Sequence, residues 1–196
     1  MRDRTRARAA LPTGTSPLTH LAYVDSSNLF IEAQKVSAVA RGLVHSLQDA
    51  RQRGILDAGY RLDLYRLMAL LARGGAPVRA TLFGSTTEGN EGVWRHAAGA
   101  GFEVVTVERG FSGKEKRVDT SLVTRLCRDA YRLGDPRRDR ITLVAGDGDY
   151  EPAVTRLVAD GFPVTVLYWS HASRELREAA TAFHPLDGCI GDLALD

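Results

Sequence analysis

The stretch ITLVAGDGDY, residues 141–150, decides the fold and carries the first candidate site. Its apolar residues Ile141 and Val144 are typical of a buried strand, and the aspartates Asp147 and Asp149 follow with one glycine between them. Carboxylates crowded at a strand end repel one another and lose hydration, so the crowding persists most easily where a cation or a substrate group compensates the charge. A purely structural turn has the same composition.

Two further segments carry acids in comparable positions. LAYVDSSN, residues 21–28, is a strand pattern that ends in Asp25, with Asn28 at the start of the next helix. Asp119, within KEKRVDTSL (114–122), opens a helix and shares a face with its apolar residues, so we expect the carboxylate to point toward the sheet edge. If these segments converge, their oxygens form a pocket suited to a hard divalent cation such as magnesium.

Simpler explanations exist for the same residues. Ser26, Ser27 or Asn28 could cap the helix after the first strand. Asp119 is favourable in a first helical turn through the helix dipole alone. Other chemistries find no support, since the sequence has no phosphate-binding loop with its lysine, no GxGxxG after a strand and no GxSxG motif.

Short apolar runs alternate with helical periodicity from residue 21 onward. The patterns predict five strands, a last helix over SRELREAATAF (173–183) and no element over the polar residues 42–59. Such alternation is typical of an α/β fold in which helices cover both faces of a parallel sheet. Ligands bind these sheets beyond the carboxyl ends of the strands. Asp25, Asp147 and Asp149 all lie at predicted strand ends.

Length and composition predict one domain with a core, since the chain has 196 residues, of which 44% are hydrophobic and 26% charged. We predict a flexible basic tail over residues 1–19 and the domain over 20–196; a transit peptide is the alternative for the first residues. No apolar run reaches the roughly 18 residues of a membrane span. Cys127 and Cys189 lack metal or disulfide spacing, which favours a reducing cytoplasm.

Taken in order, the segments resemble the NYN domain family, a branch of the PIN-like nucleases. The resemblance covers about residues 21 to 187. It is carried by YVDSSNLF with Asp25 and Asn28, FGS at 83–85, Trp94, GFEVVTVER, EKRVDTSL with Lys116 and Asp119, VAGDGDYEPAV with Asp147 and Asp149, and SRELREAATAF. It implies a three-layer Rossmann-like sandwich with a mostly parallel central sheet.

The resemblance also implies a ribonuclease that hydrolyses RNA phosphodiester bonds with magnesium or manganese. Asn28 would orient a water or a phosphate oxygen. Four acids would hold the ion, namely Asp25, Asp119, Asp147 and Asp149.

RNA is accordingly the expected partner, without a membrane, and a homo-oligomer is compatible with the sequence. Lys116 and Arg117 would contact the RNA backbone. We expect any base preference to come from stacking on Tyr150 or Trp169. His171, after the last strand, has either a substrate contact or a plain surface role.

Two positions depart from the family pattern. Many relatives have an aspartate where Arg125 stands, and many have another where Thr181 stands. Arg125 adds positive charge to the helix of Asp119, so either weaker metal binding or an RNA phosphate contact follows from the sequence. The alternative function is therefore a module of the same fold that binds RNA without cutting it.

Overall fold

The computed structural model describes residues 19–75, 78–86, 89–108 and 116–195. The strands are β1 (His20–Asp25), β2 (Val78–Thr86), β3 (Glu103–Glu108), β4 (Arg140–Val144), β5 (Val164–Tyr168) and β6 (Ala182–Pro185). The helices are α1 (Ser26–Ala40), α2 (Leu47–Arg53), α3 (Leu64–Leu71), α4 (Glu91–Gly99), α5 (Lys116–Leu133), α6 (Glu151–Ala159) and α7 (Arg174–Ala179). Apart from Thr19, the predicted tail lies outside the described residues.

In the part of the chain that the structure describes, six strands form one parallel sheet in the order β3-β2-β1-β4-β5-β6, flanked by helices. The predicted α/β fold is confirmed, and its sheet is wholly parallel. The order runs in opposite directions on either side of the β1–β4 pair, which makes this pair the topological switch point. Open α/β sheets bind their ligands beyond the carboxyl ends of the strands at such a point.

Strand β1 lies in the middle of the sheet because almost every side chain in it is apolar. A strand covered on both faces needs a continuous apolar run rather than an alternating one. Its buried residues other than Asp25 are Leu21, Ala22, Tyr23 and Val24. The carboxyl end of β1, with Asp25, is therefore fixed at the centre of the sheet edge.

Helix α5 packs on the sheet through one apolar stripe. Val118, Leu122, Leu126 and Ala130 recur every four residues and are all buried. The stripe starts one residue before Asp119, so docking the helix also brings the first-turn aspartate to the edge of the sheet.

The predicted helix over residues 173–183 is wrong at its carboxyl end. Helix α7 stops at Ala179, and β6 pairs with β5 in parallel. The backbone N–H of Thr181 donates to the carbonyl of Val164 at 2.9 Å, and the Thr181 hydroxyl accepts from the Val164 N–H at 3.1 Å. Pairing with β5 thus overrides the helix propensity of the alanines in this segment.

The polar segment 42–59 contains a helix that the sequence did not predict, α2. Ser46 caps it by accepting from the Asp49 N–H at 3.1 Å, and Gly54 ends it at a φ of 64°. Ala50 is its one buried residue among those described. A helix this short with a single buried position leaves no apolar stripe to detect. Within the described ranges, no helix combines the length and apolar character required to cross a membrane.

Candidate active site

Asp25 joins the end of β1 to the start of α1. It is 4% exposed, and its carboxylate accepts from the Asn28 N–H at 3.4 Å, which makes Asp25 itself the N-cap of α1. The expectation that Ser26, Ser27 or Asn28 caps this helix is therefore wrong. A helix N-terminus favours a negative charge, so both fold and charge hold this carboxylate at the switch point.

Asp119 meets Asp25 through a third side chain, Tyr150. The Tyr150 hydroxyl lies 3.0 Å from Asp25 Oδ2 and 2.9 Å from Asp119 Oδ1. Burial raises the pKa of Tyr150 far above its ordinary value of 10.0, and the charges of Asp25 and Asp119 raise it further. The hydroxyl therefore stays protonated and donates hydrogen bonds.

These acids open into one cavity of about 190 Å³ at the carboxyl edge of the sheet. Asp147 also lines it, from the turn that follows β4. The described lining consists of Asp25, Ser27, Asn28, Ile31, Glu32, Val118, Asp119 and Asp147. The structure thus brings together three of the four predicted metal ligands and Asn28.

The fourth predicted ligand, Asp149, lies elsewhere. Asp147 Oδ1 accepts from the Asp149 N–H at 3.0 Å and caps a short 3-10 turn over Gly148–Tyr150. The turn leaves the Asp149 side chain exposed, and Asp149 is not among the described residues that line the cavity. Its role as a fourth metal ligand therefore stays a prediction.

Asn28 is held by a second buried tyrosine, Tyr168. The Tyr168 hydroxyl donates to Asn28 Oδ1 and lies 3.2 Å from the Asn28 carbonyl oxygen. With Oδ1 engaged by Tyr168, the Asn28 NH2 is the group left to donate toward a ligand.

Glu32 is a cavity residue that the sequence analysis missed. Its carboxylate lies 2.6 Å from Lys35, 3.1 Å from Arg51 and 2.7 Å from His171. Burial alone would raise the pKa of Glu32, but hydrogen bonds from His171, Lys35 and Arg51 outweigh it and lower the pKa to about 2. Helical spacing offered a signal, because Glu32 stands four residues after Asn28 on the same face.

His171 therefore has a described role as a partner of Glu32, with its side chain 13% exposed. The expectation of base stacking on Tyr150 or Trp169 is wrong, because Tyr150 is 1% exposed and Trp169 is fully buried. The Trp169 indole N–H donates to the Leu29 carbonyl at 3.3 Å. Neither ring presents a face to a nucleic-acid base.

Both departures from the family pattern lie away from the cavity. Arg125 is bound to Glu103 through two contacts of 2.7 Å and also donates to Asp129. Thr181 stands at the amino-terminal end of β6, where its hydroxyl bonds to Val164. Arg125 is not among the described residues that line the cavity. Its positive charge is balanced by the carboxylates of Glu103 and Asp129.

Lys116 and Arg117, the predicted RNA contacts, lie in the first turn of α5. Their side chains lie outside the described part of the chain. Their role in RNA binding stays a prediction.

Among the described residues, no group of three or more His, Cys, Asp or Glu side chains is close enough to form a metal site. The chemistry of the cavity still fits a hard cation, since Asp25, Asp119 and Asp147 offer carboxylate oxygens. Magnesium in particular keeps several waters and is commonly held by one or two carboxylates. The residues present fit such an ion without a full protein cage.

The fold and the cavity define a Rossmann-like α/β protein with acidic side chains at the switch point of its sheet. A family model for the NYN domain matches residues 23–187, and the chain therefore belongs to the NYN domain family, within the PIN-like nuclease superfamily. NYN domains are usually ribonucleases, generally bind RNA and typically use divalent metals.

A solved structure of similar fold comes from Vibrio parahaemolyticus RIMD 2210633, a protein of unknown function. The two share 19% sequence identity at a TM-score of 0.65, over 93% of this chain and 99% of that chain. At this identity the likeness supports the fold alone. No curated protein matches the chain.

Proposed function

We propose that this protein is a divalent-metal-dependent ribonuclease that hydrolyses RNA phosphodiester bonds in the cavity at the carboxyl edge of its sheet. The supporting observation is that Asp25, Asp119 and Asp147, from three separate segments, line one cavity in an NYN domain. Each acid also has a local role at a helix or turn start, but all three lie at the edge where such sheets bind ligands, which supports a ligand site there.

Asp25, Asp119 and Asp147 would hold the ion, with Asp149 as the predicted fourth ligand. Magnesium or manganese bound there would stabilise the negative charge that develops on the phosphate during hydrolysis. The fixed Asp25 and the first-turn Asp119 hold their charge toward the cavity before any ligand enters, which lowers the reorganisation needed for reaction.

Asn28 has the role of a neutral donor. Because the Tyr168 hydroxyl occupies its Oδ1, the Asn28 NH2 can donate to a phosphate oxygen or to the attacking water. Lys116 and Arg117 are proposed to contact the RNA backbone from the start of α5. Contacts to phosphate carry no base information, so cleavage should tolerate many sequences.

A second candidate function is an RNA-binding module that does not cut. One observation favours it: no three potential ligand side chains of the described residues lie close enough to bind a metal. Both functions predict RNA affinity that falls as salt rises. The two functions differ only in whether the protein cleaves the RNA.

The test is cleavage of a labelled single-stranded RNA with magnesium or manganese, and with EDTA. The informative variant is Asp147→Asn, because the amide oxygen can still accept from the Asp149 N–H and preserve the turn while the charge is lost. The matched control is Asp192→Asn, the same change at an exposed acid outside the cavity.

We expect metal-dependent cleavage that Asp147→Asn reduces and Asp192→Asn leaves intact. RNA that stays whole under every metal condition, while salt-sensitive binding persists, would establish the module instead. Absence of both cleavage and binding would exclude RNA as the ligand.

A further inference from the structure

The turn after β4 places one side chain at the cavity and another in the core. Asp147 lines the cavity, whereas Tyr150, at the end of the same 3-10 turn, is 1% exposed and is not among the described lining residues. The Tyr150 hydroxyl therefore reaches Asp25 and Asp119 from the core side, while both carboxylates also border the cavity.

The contacts themselves are nearly equal, at 3.0 Å to Asp25 Oδ2 and 2.9 Å to Asp119 Oδ1. A hydroxyl has one proton, so it donates to one carboxylate at a time and alternates between two equivalent acceptors. Asp25 Oδ2 and Asp119 Oδ1 thus both stay within hydrogen-bond distance of the Tyr150 hydroxyl. Two neighbouring carboxylates otherwise repel each other, and flexible side chains relieve that repulsion by turning apart.

Packing in the core holds the Tyr150 side chain, and with it the hydroxyl, in place. Tyr150 ends the turn that Asp147 caps, and its N–H lies 3.4 Å from the Asp147 carbonyl. Its ring is packed among fully buried side chains of the main core. A hydroxyl on a ring with no freedom to move is a rigid support for the two side chains that contact it.

We propose that Tyr150 is a positioning residue that holds the Asp25 and Asp119 carboxylates side by side, from the core side, so that both face the same cavity. This inference rests on the proposed cation site for its functional consequence. Hydrogen-bonded supports behind metal ligands commonly contribute about 10- to 100-fold to metal affinity.

The variant that tests the proposal is Tyr150→Phe, which removes one oxygen and keeps the ring. The chain offers a matched control in Tyr23→Phe. Tyr23 is also 1% exposed, and its hydroxyl also donates to an aspartate, Asp129, at 3.3 Å, but neither residue is among the described residues of the cavity.

Crystal structures of the two variants form the first arm. In Tyr150→Phe we expect the Asp25 and Asp119 carboxylates to separate, and in Tyr23→Phe we expect them to stay as they are. An unchanged pair in Tyr150→Phe overturns the proposal, whether or not the protein binds a metal.

Manganese titration, followed by the electron paramagnetic resonance signal of the free ion, forms the second arm. We expect Tyr150→Phe to weaken binding about 10-fold and Tyr23→Phe to leave it unchanged. Equal or tighter binding by Tyr150→Phe overturns the proposal. A wild-type protein that binds no manganese contradicts the proposed metal dependence, and the crystal structures then still decide the positioning role.

A measurement on the wild-type protein covers the case in which Tyr150→Phe does not fold. With labelled tyrosine, the Tyr150 hydroxyl proton should give its own NMR signal, because a proton on a buried side chain that is hydrogen-bonded to carboxylates exchanges slowly with water. Exchange as fast as that of an exposed tyrosine such as Tyr65 would contradict the proposal.

Discussion

Two buried tyrosines bind aspartates in this fold, and their surroundings differ. Toward the amino-terminal ends of the strands, the Tyr23 hydroxyl donates to Asp129, which also binds Arg125 and Arg128. Arg125 in turn holds Glu103. At the carboxyl edge, the Tyr150 hydroxyl contacts two carboxylates, and a third acid borders the same cavity.

The difference lies in how charge is arranged along one helix. In the carboxyl-terminal half of α5, the described contacts join acids to guanidinium groups. Burial raises the pKa of Asp129, but hydrogen bonds from Arg125 and Arg128 outweigh it and lower the pKa. In the first turn of α5, Asp119 shares the Tyr150 hydroxyl with Asp25. Acids paired with guanidinium groups stabilise the fold, whereas acids gathered beside a cavity are suited to binding a cation.

The largest expected effect is on catalysis, from Asp119→Asn. The amide oxygen can still accept from Tyr150, so the fold should persist, while removal of the charge should lower cleavage by at least about 100-fold. Asp149→Asn should lower it less, because Asp149 is exposed outside the cavity. Initial rates on one RNA substrate at saturating metal measure both. Equal losses would place Asp149 in the site as well.

The next effect is on stability, from Arg125→Asp. This change introduces the aspartate that the family resemblance predicts at this position, but it puts a carboxylate beside Glu103 and Asp129 in place of their shared partner. We expect a loss of about 3 kcal/mol in unfolding free energy, measured by urea denaturation, and no gain in manganese affinity. Arg125→Met, which removes the charge without reversing it, should lose less. Tighter manganese binding by Arg125→Asp would assign this position to the cavity.

A pH-dependent effect should come from Glu32→Gln. The folded pKa of Glu32 is about 2, below its ordinary value of 4.5, so its stabilisation is complete above about 4.5 and is lost as the pH falls toward 2. At pH 7 we expect the variant to be less stable by about 2 kcal/mol after allowance for solvent screening.

Urea denaturation of both proteins at neutral pH and at about pH 3 measures this difference, which should narrow at the lower pH. Glu178→Gln is the control, because its ion pair with Arg174 is exposed on both sides. A difference that is constant with pH would show that Glu32 acts through packing rather than charge.

The smallest effect should come from Thr181→Val, which removes the acceptor for the Val164 N–H. We expect a loss of about 1 kcal/mol or less and unchanged cleavage, since Thr181 lies at the opposite end of the sheet from the cavity. Thr181→Asp keeps an acceptor and should retain stability. Melting temperatures of the two variants measure these changes in stability. Reduced cleavage by Thr181→Val would argue against a purely structural role.

The sequence predicted the parts of the site that parallel topology brings together. Asp25 and Asp147 follow adjacent strands, so any parallel pairing of β1 and β4 brings them to one edge. Asp119 could be added because the apolar stripe of α5 fixes which side of the helix faces the sheet.

The sequence did not predict features that depend on contacts between distant segments. Base stacking on Tyr150 requires an exposed ring. Nothing in the local sequence shows that the ring is buried or that its hydroxyl contacts two acids. Glu32 depends on Arg51 from an unpredicted helix and on His171 from the loop after β5. The sequence also does not show the 3-10 turn that leaves the Asp149 side chain exposed, and its role as a ligand stays a prediction.

The capping role of Asp25 has an evolutionary consequence. Asparagine and serine cap helices about as well as aspartate does, so selection for folding alone accepts either in place of Asp25. Such a change keeps the helix start and removes the charge at the centre of the cavity. Under the proposed function, a chain of the same fold that has lost cleavage is therefore one substitution away.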